Sequence, residues 1–60
     1  MRKGEIIRIL MERDGLTKEE AKEELAEVIE EMRDLIEDGR FIEAEDLFSD
    51  MLGLEPDYLL

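Results

Sequence analysis

Residues 17–39 read TKEEAKEELAEVIEEMRDLIEDG, and this stretch decides the fold. Thr17 with Glu20 three residues on is a capping box: the Thr hydroxyl accepts from the N–H of residue 20, and the Glu carboxylate reaches back to the N–H of Thr17. Leu16 and Ala21 flank the cap where a hydrophobic staple would close over it. Downstream, Ala21, Leu25, Val28, Met32 and Leu35 recur at spacings of 4, 3, 4 and 3, and Ile29 and Ile36 widen the stripe. Three apolar positions in every seven suit a helix packed in a globular bundle better than the narrower seam of a two-stranded coiled coil. Gly39 supplies a left-handed stop, so the pattern predicts a helix over 18–38.

Towards the N-terminus, Ile6, Ile7, Leu10 and Met11 form the apolar side of a helix predicted over 3–14, ended by Gly15. Ile9 falls off that stripe, so this helix is expected to be covered on more than half its circumference or to touch another molecule. Towards the C-terminus, Phe41, Ile42, Ala44, Leu47, Phe48, Met51 and Leu52 restart a helical pattern, predicted over 41–52 and stopped by Gly53. Pro56 suits a first helical position, so a short last turn is expected from it. Leu59 and Leu60 either tuck into the core or precede further chain. No stretch alternates apolar and polar residues with β-branched enrichment for more than a few positions, which leaves no strand signal. The expectation is one small all-α domain over 1–60, a three-helix bundle-like fold with a possible helical turn from Pro56.

The segment Gly39-Arg40-Phe41-Ile42-Glu43-Ala44-Glu45-Asp46-Leu47-Phe48, continuing to Leu54-Glu55-Pro56-Asp57, resembles the second helix of a tetratricopeptide repeat. That family repeats a Gly-x-aromatic turn, an Ala three residues after the aromatic, and a Pro at the repeat end. The resemblance implies that Gly39 turns the chain, Ala44 lets two helices approach and Pro56 starts the next helix. Upstream the chain departs from the family, because Glu31 falls where the repeat keeps an apolar residue. The resemblance spans one repeat, whereas repeat arrays need at least three to be stable; it implies a shared helical-hairpin solution. The whole chain also resembles small acidic helical proteins of bacteria and their prophages, which end in tails similar to Gly53–Tyr58. That resemblance implies a bacterial or mobile-element cytoplasmic protein and carries over no site residues.

Sixty residues allow a domain that buries only about 60% of the surface its unfolded chain exposes. Help from a partner or a second copy is therefore expected, and a homodimer is favoured. No cysteine and no histidine occur, so disulfides and the usual Cys/His zinc sites are excluded, in keeping with a reducing cytoplasm. No apolar run approaches the roughly 20 residues of a membrane span, and the N-terminal apolar pieces are broken by Arg8, so no targeting segment is read and no membrane partner is expected.

Charge is unevenly placed. Residues 1–18 carry five Lys/Arg against three Asp/Glu, a net of +2, whereas residues 19–60 carry three against sixteen, a net of −13. Such a surface repels phosphate backbones and attracts basic proteins. A helix-turn-helix reading fails on the same ground, since the groove-reading helix would carry Glu43, Glu45, Asp46 and Asp50 with no Lys or Arg after Arg40. No direct nucleic-acid partner is expected.

No catalytic machinery is legible. Ser49 has no histidine to act as base, and Lys18 and Lys22 lie on an exposed capping turn with no apolar pocket to depress their pKa. Glu43, Asp46 and Asp50 share one helix face, yet the chain has neither the calcium-loop spacing nor the Glu–His pairing of di-iron bundles. The reading is a non-enzyme without cofactor or metal. Met11, Met32, Met51, Phe41 and Phe48 read as core.

On the central helix, Glu19–Glu23, Glu20–Glu24, Glu23–Glu27, Glu27–Glu31, Glu30–Asp34 and Asp34–Asp38 set like charges four apart. At about 0.2–0.5 kcal/mol each they destabilise by roughly 1–3 kcal/mol, offset only by the pairs Glu19–Lys22, Glu30–Arg33 and Arg33–Glu37. Solubility and helix propensity account for this density of Glu, and a docking face for a basic partner is the sharper reading. Two functions are therefore in view. One is a protein-interaction or oligomerisation module, with Ile6, Leu10 and Tyr58 as candidate apolar contacts. The other is an acidic inhibitor that mimics a nucleic-acid backbone, with Glu27, Glu31, Asp34 and Asp38 as candidate contacts.

Overall fold

The computed structural model describes residues 1–59, and Leu60 lies outside the described residues. Three α-helices follow in order, α1 over Lys3–Asp14, α2 over Lys18–Glu37 and α3 over Phe41–Leu52, and a 3-10 turn over Pro56–Leu59 closes the described chain. The fold is all-α and bundle-like, as the apolar spacing predicts, with no strand among the described residues.

Helix α2 is the spine. Its 20 residues rise about 30 Å at 1.5 Å each, close to the 33 Å long dimension of the molecule. α1 and α3 both pack against it and approach each other little. Ala21, Leu25, Val28 and Met32 of α2 are buried against Ile6 and Leu10 of α1 and against Ala44, Phe48 and Leu52 of α3. Ile7 and Ile9 are half-buried, and of the two Ile7 packs against the core. Leu16, Leu54, Tyr58 and Leu59 pack onto the edge of this core, so the turn from Pro56 folds back onto the bundle.

The helix ends follow local chemistry. The Thr17 hydroxyl accepts from the Glu20 N–H at 3.2 Å, and the Glu20 carboxylate accepts from the Thr17 N–H at 2.9 Å, which is the predicted capping box. Helix α2 stops at Glu37, one residue before the predicted 38. Gly39, at φ +77°, reverses the chain so that its N–H donates to Ile36 O at 3.0 Å and the Arg40 N–H donates to Leu35 O at 2.8 Å. Both bonds together form a Schellman motif, and Asp38 becomes the cap rather than a helical residue.

Three expectations about the interior are corrected. Phe41, Met11 and Met51 are exposed, at 59%, 37% and 42%, and Ile42 is exposed at 76%. On α3 the core stripe runs through Ala44, Phe48 and Leu52, and Ile42 projects well away from it, beside Glu45, Asp46 and Ser49. The offsetting pairs Glu19–Lys22, Glu30–Arg33 and Arg33–Glu37 do not close within 4.0 Å. The ion pairs among the described residues are Arg2–Glu5, Arg13–Asp14 and Arg40–Glu43.

Candidate functional site

Two surfaces stand out. The first is the outer face of α2, where Glu19, Glu23, Glu27, Glu30 and Asp34 project from one side of the helix. Each i,i+4 step rises about 6 Å, so the carboxylates form a ladder along the molecule. The predicted contacts Glu27, Glu31, Asp34 and Asp38 all lie exposed in or beside this ladder, and none belongs to an ion pair among the described residues.

The second surface lies at the α2–α3 elbow. There Phe41 divides two shallow depressions. One, of about 390 Å³, is formed by Gly39, Arg40, Phe41, Ile42 and Glu43. The other, of about 250 Å³, is lined by Ile36, Phe41, Met1 and Leu59, with Met32 and Ala44 deeper and Glu45 at its edge. Chain geometry assembles this second cleft. The Arg2 N–H donates to Tyr58 O at 3.1 Å, which brings the first residues beside the Pro56–Leu59 turn. Ile36 and Met1 expose 43% and 45% of their surface there.

The predicted apolar contacts fare differently. Ile6 and Leu10 are completely buried, because the face of α1 that carries them packs onto α2; they hold the core and offer no docking surface. Tyr58 is half-buried in the last turn. The residues missed by sequence reading are Ile36, Phe41 and Ile42. Ile42 carried a signal, since it falls outside the i,i+4 series Ala44–Phe48–Leu52. Phe41 carried none, since a helix wheel places it on the core side.

Perturbed ionisations sit at helix ends. The Thr17 backbone N–H holds the Glu20 carboxyl below its usual range, and the Arg13 guanidinium does the same for Asp14. Arg13 and Arg40 are held more firmly protonated by hydrogen bonds from their guanidinium groups to Asp14 and Glu43. The Ser49 hydroxyl is buried and makes no hydrogen bond. Glu43, Asp46 and Asp50 are exposed, and among the described residues no three acidic side chains converge on a metal-sized space. No described helix is long and apolar enough to cross a membrane.

Comparison with protein families, with curated proteins and with solved structures finds no match. The functional reading therefore rests on this chain's own residues.

Proposed function

We propose that this chain is a non-enzymatic protein-interaction module that works in a reducing cytoplasm and binds another protein or a second copy of itself. The observation that carries the reading is the apolar elbow: Ile36, Phe41 and Ile42 are exposed where α2 turns into α3, and Phe41 and Ile42 are, at 59% and 76%, the most exposed of the large apolar side chains of this 60-residue chain among the described residues. A small domain gains stability by covering such a surface. The absence of cysteine is in keeping with that cellular setting.

A second reading is favoured by the unpaired ladder on α2. In it the chain occupies the basic nucleic-acid site of another protein, its carboxylates standing where phosphates would. Neither reading involves direct contact with nucleic acid, since α3 carries no Lys or Arg after Arg40.

Salt separates the two. Sedimentation over a range of concentrations and pull-down at low and moderate salt read the association of the pure protein and of its partner. Association that survives moderate salt supports the apolar module, whereas association that falls steeply with salt supports the backbone mimic. A protein that stays monomeric and retains no partner under either condition contradicts both.

A further inference from the structure

We infer that the cleft at the α2–α3 elbow is a docking groove for a cationic amphipathic helix of a partner protein. This narrows the interaction reading above and rests on it. The cleft walls are apolar, through Ile36, Phe41, Met1 and Leu59, while Glu45 stands at its edge and Glu37 and Asp38 follow Ile36 in the chain. None of these three carboxylates is engaged in an ion pair among the described residues. Two cations near it in the chain are already committed: Arg40 is paired with Glu43, and Arg2 with Glu5.

An apolar slot with a free carboxylate at its edge, on a chain of net charge −11, fits a helix that presents one or two aliphatic side chains at i and i+3 or i+4 spacing and keeps Lys or Arg alongside them. At about 250 Å³ the slot holds side chains of that kind and no globular surface. A second copy is the poorer occupant, because pairing would bring two molecules of net charge −11 together. A cationic helix turns that repulsion into attraction, and steering by the whole acidic surface speeds its arrival.

The test uses the full chain and a fluorescein-labelled synthetic helix with Leu at core heptad positions and Lys elsewhere, followed by anisotropy at physiological salt. Oligolysine of equal length is the comparator. The expected result is that the amphipathic helix binds about tenfold or more tightly than oligolysine, and that Phe41→Ser and Ile36→Ser each weaken it about tenfold. Met51→Ser, an exposed apolar site outside the cleft, should leave binding unchanged. Circular dichroism of each variant checks that helicity is retained.

Equal binding of both peptides, unaffected by Phe41→Ser, overturns the groove and leaves the acidic mimic. A dimer in sedimentation that Phe41→Ser dissolves overturns the cationic occupant in favour of a second copy, while the interaction reading stands. No binding of either peptide also overturns the groove; the salt-dependent pull-down above then decides separately whether the interaction reading survives.

Discussion

The Arg13 guanidinium, at the end of α1, donates to the Leu52 carbonyl at the end of α3 at 2.7 Å, and its other amino nitrogen lies 3.4 Å from Gly53 O. A helix C-terminus leaves its last carbonyls without partners and carries partial negative charge, so a cation placed there satisfies both. Asp14 holds the guanidinium in place through bonds of 2.9 and 3.0 Å. Residues 39 apart in sequence are thus joined across two helices that otherwise approach little.

Arg13→Ala should lower stability by about 1 kcal/mol, since the contact is charge-assisted but partly open to solvent. Gly53→Ala should cost about 1–2 kcal/mol for its left-handed backbone at φ +65°, and its new Cβ would also meet Arg13 Nη1 at 3.2 Å. Because both changes disturb one contact, the double variant should lose less than the sum of the two. Urea unfolding of the four proteins measures this; strict additivity would show that Arg13 and Gly53 do not share the contact.

Thr17→Ala should destabilise by about 1 kcal/mol through loss of the cap. Glu20→Gln keeps an acceptor but not the charge, which makes the effect pH-dependent. The folded pKa of Glu20 is depressed, so its contribution is fully present above the ordinary Glu pKa of about 4.3 and is lost as pH falls through the folded value. Wild type should exceed Glu20→Gln in stability at neutral pH, and the gap should close in acid. A gap that stays constant down to low pH would contradict this.

What was legible in the sequence was whatever depends on near neighbours. The Thr17–Glu20 box and the stops at Gly15, Gly39 and Gly53 are written within a few residues, and all three glycines adopt positive φ. The stripe Leu25–Val28–Met32 is equally local. Burial of Phe41 was not legible, because helical spacing gives the direction of a side chain but not whether a neighbouring helix extends far enough to cover it. Phe41 begins α3 directly after the turn, and 59% of its surface remains uncovered. The Arg13–Leu52 contact has no sequence signal, and the candidate contacts Ile6 and Leu10 were apolar enough for an interface but proved to be the core itself.

Phe48→Ala and Leu25→Ala should each remove several kcal/mol, in the range of about 2–5, by emptying fully enclosed sites. A domain of this size holds only about 3–5 kcal/mol, so either change should unfold most of the protein. Phe41→Ala and Ile42→Ala should stay within about 0.5 kcal/mol of wild type, as surface changes do. Thermal melts followed by circular dichroism distinguish them; equal losses at positions 41 and 48 would mean that Phe41 is covered.

Added salt should raise the melting temperature. The α2 carboxylates stand unpaired at spacings of four, so screening relieves repulsion of roughly 1–3 kcal/mol, and each kcal/mol moves the midpoint of so small a domain by about 4–8 °C. A flat or falling response between low and high sodium chloride would show the ladder to be compensated.

The chain has two phenylalanines, one on the uncovered elbow and one at the centre of the core, which makes fluorine NMR the most direct measurement. With 4-fluorophenylalanine at both positions and a neutral paramagnetic agent in solution, dilute protein should give two resonances. That of Phe41 should broaden strongly and that of Phe48 should be untouched. Broadening of both would show that the three helices share no interior, and protection of both would show that the elbow is not an open surface.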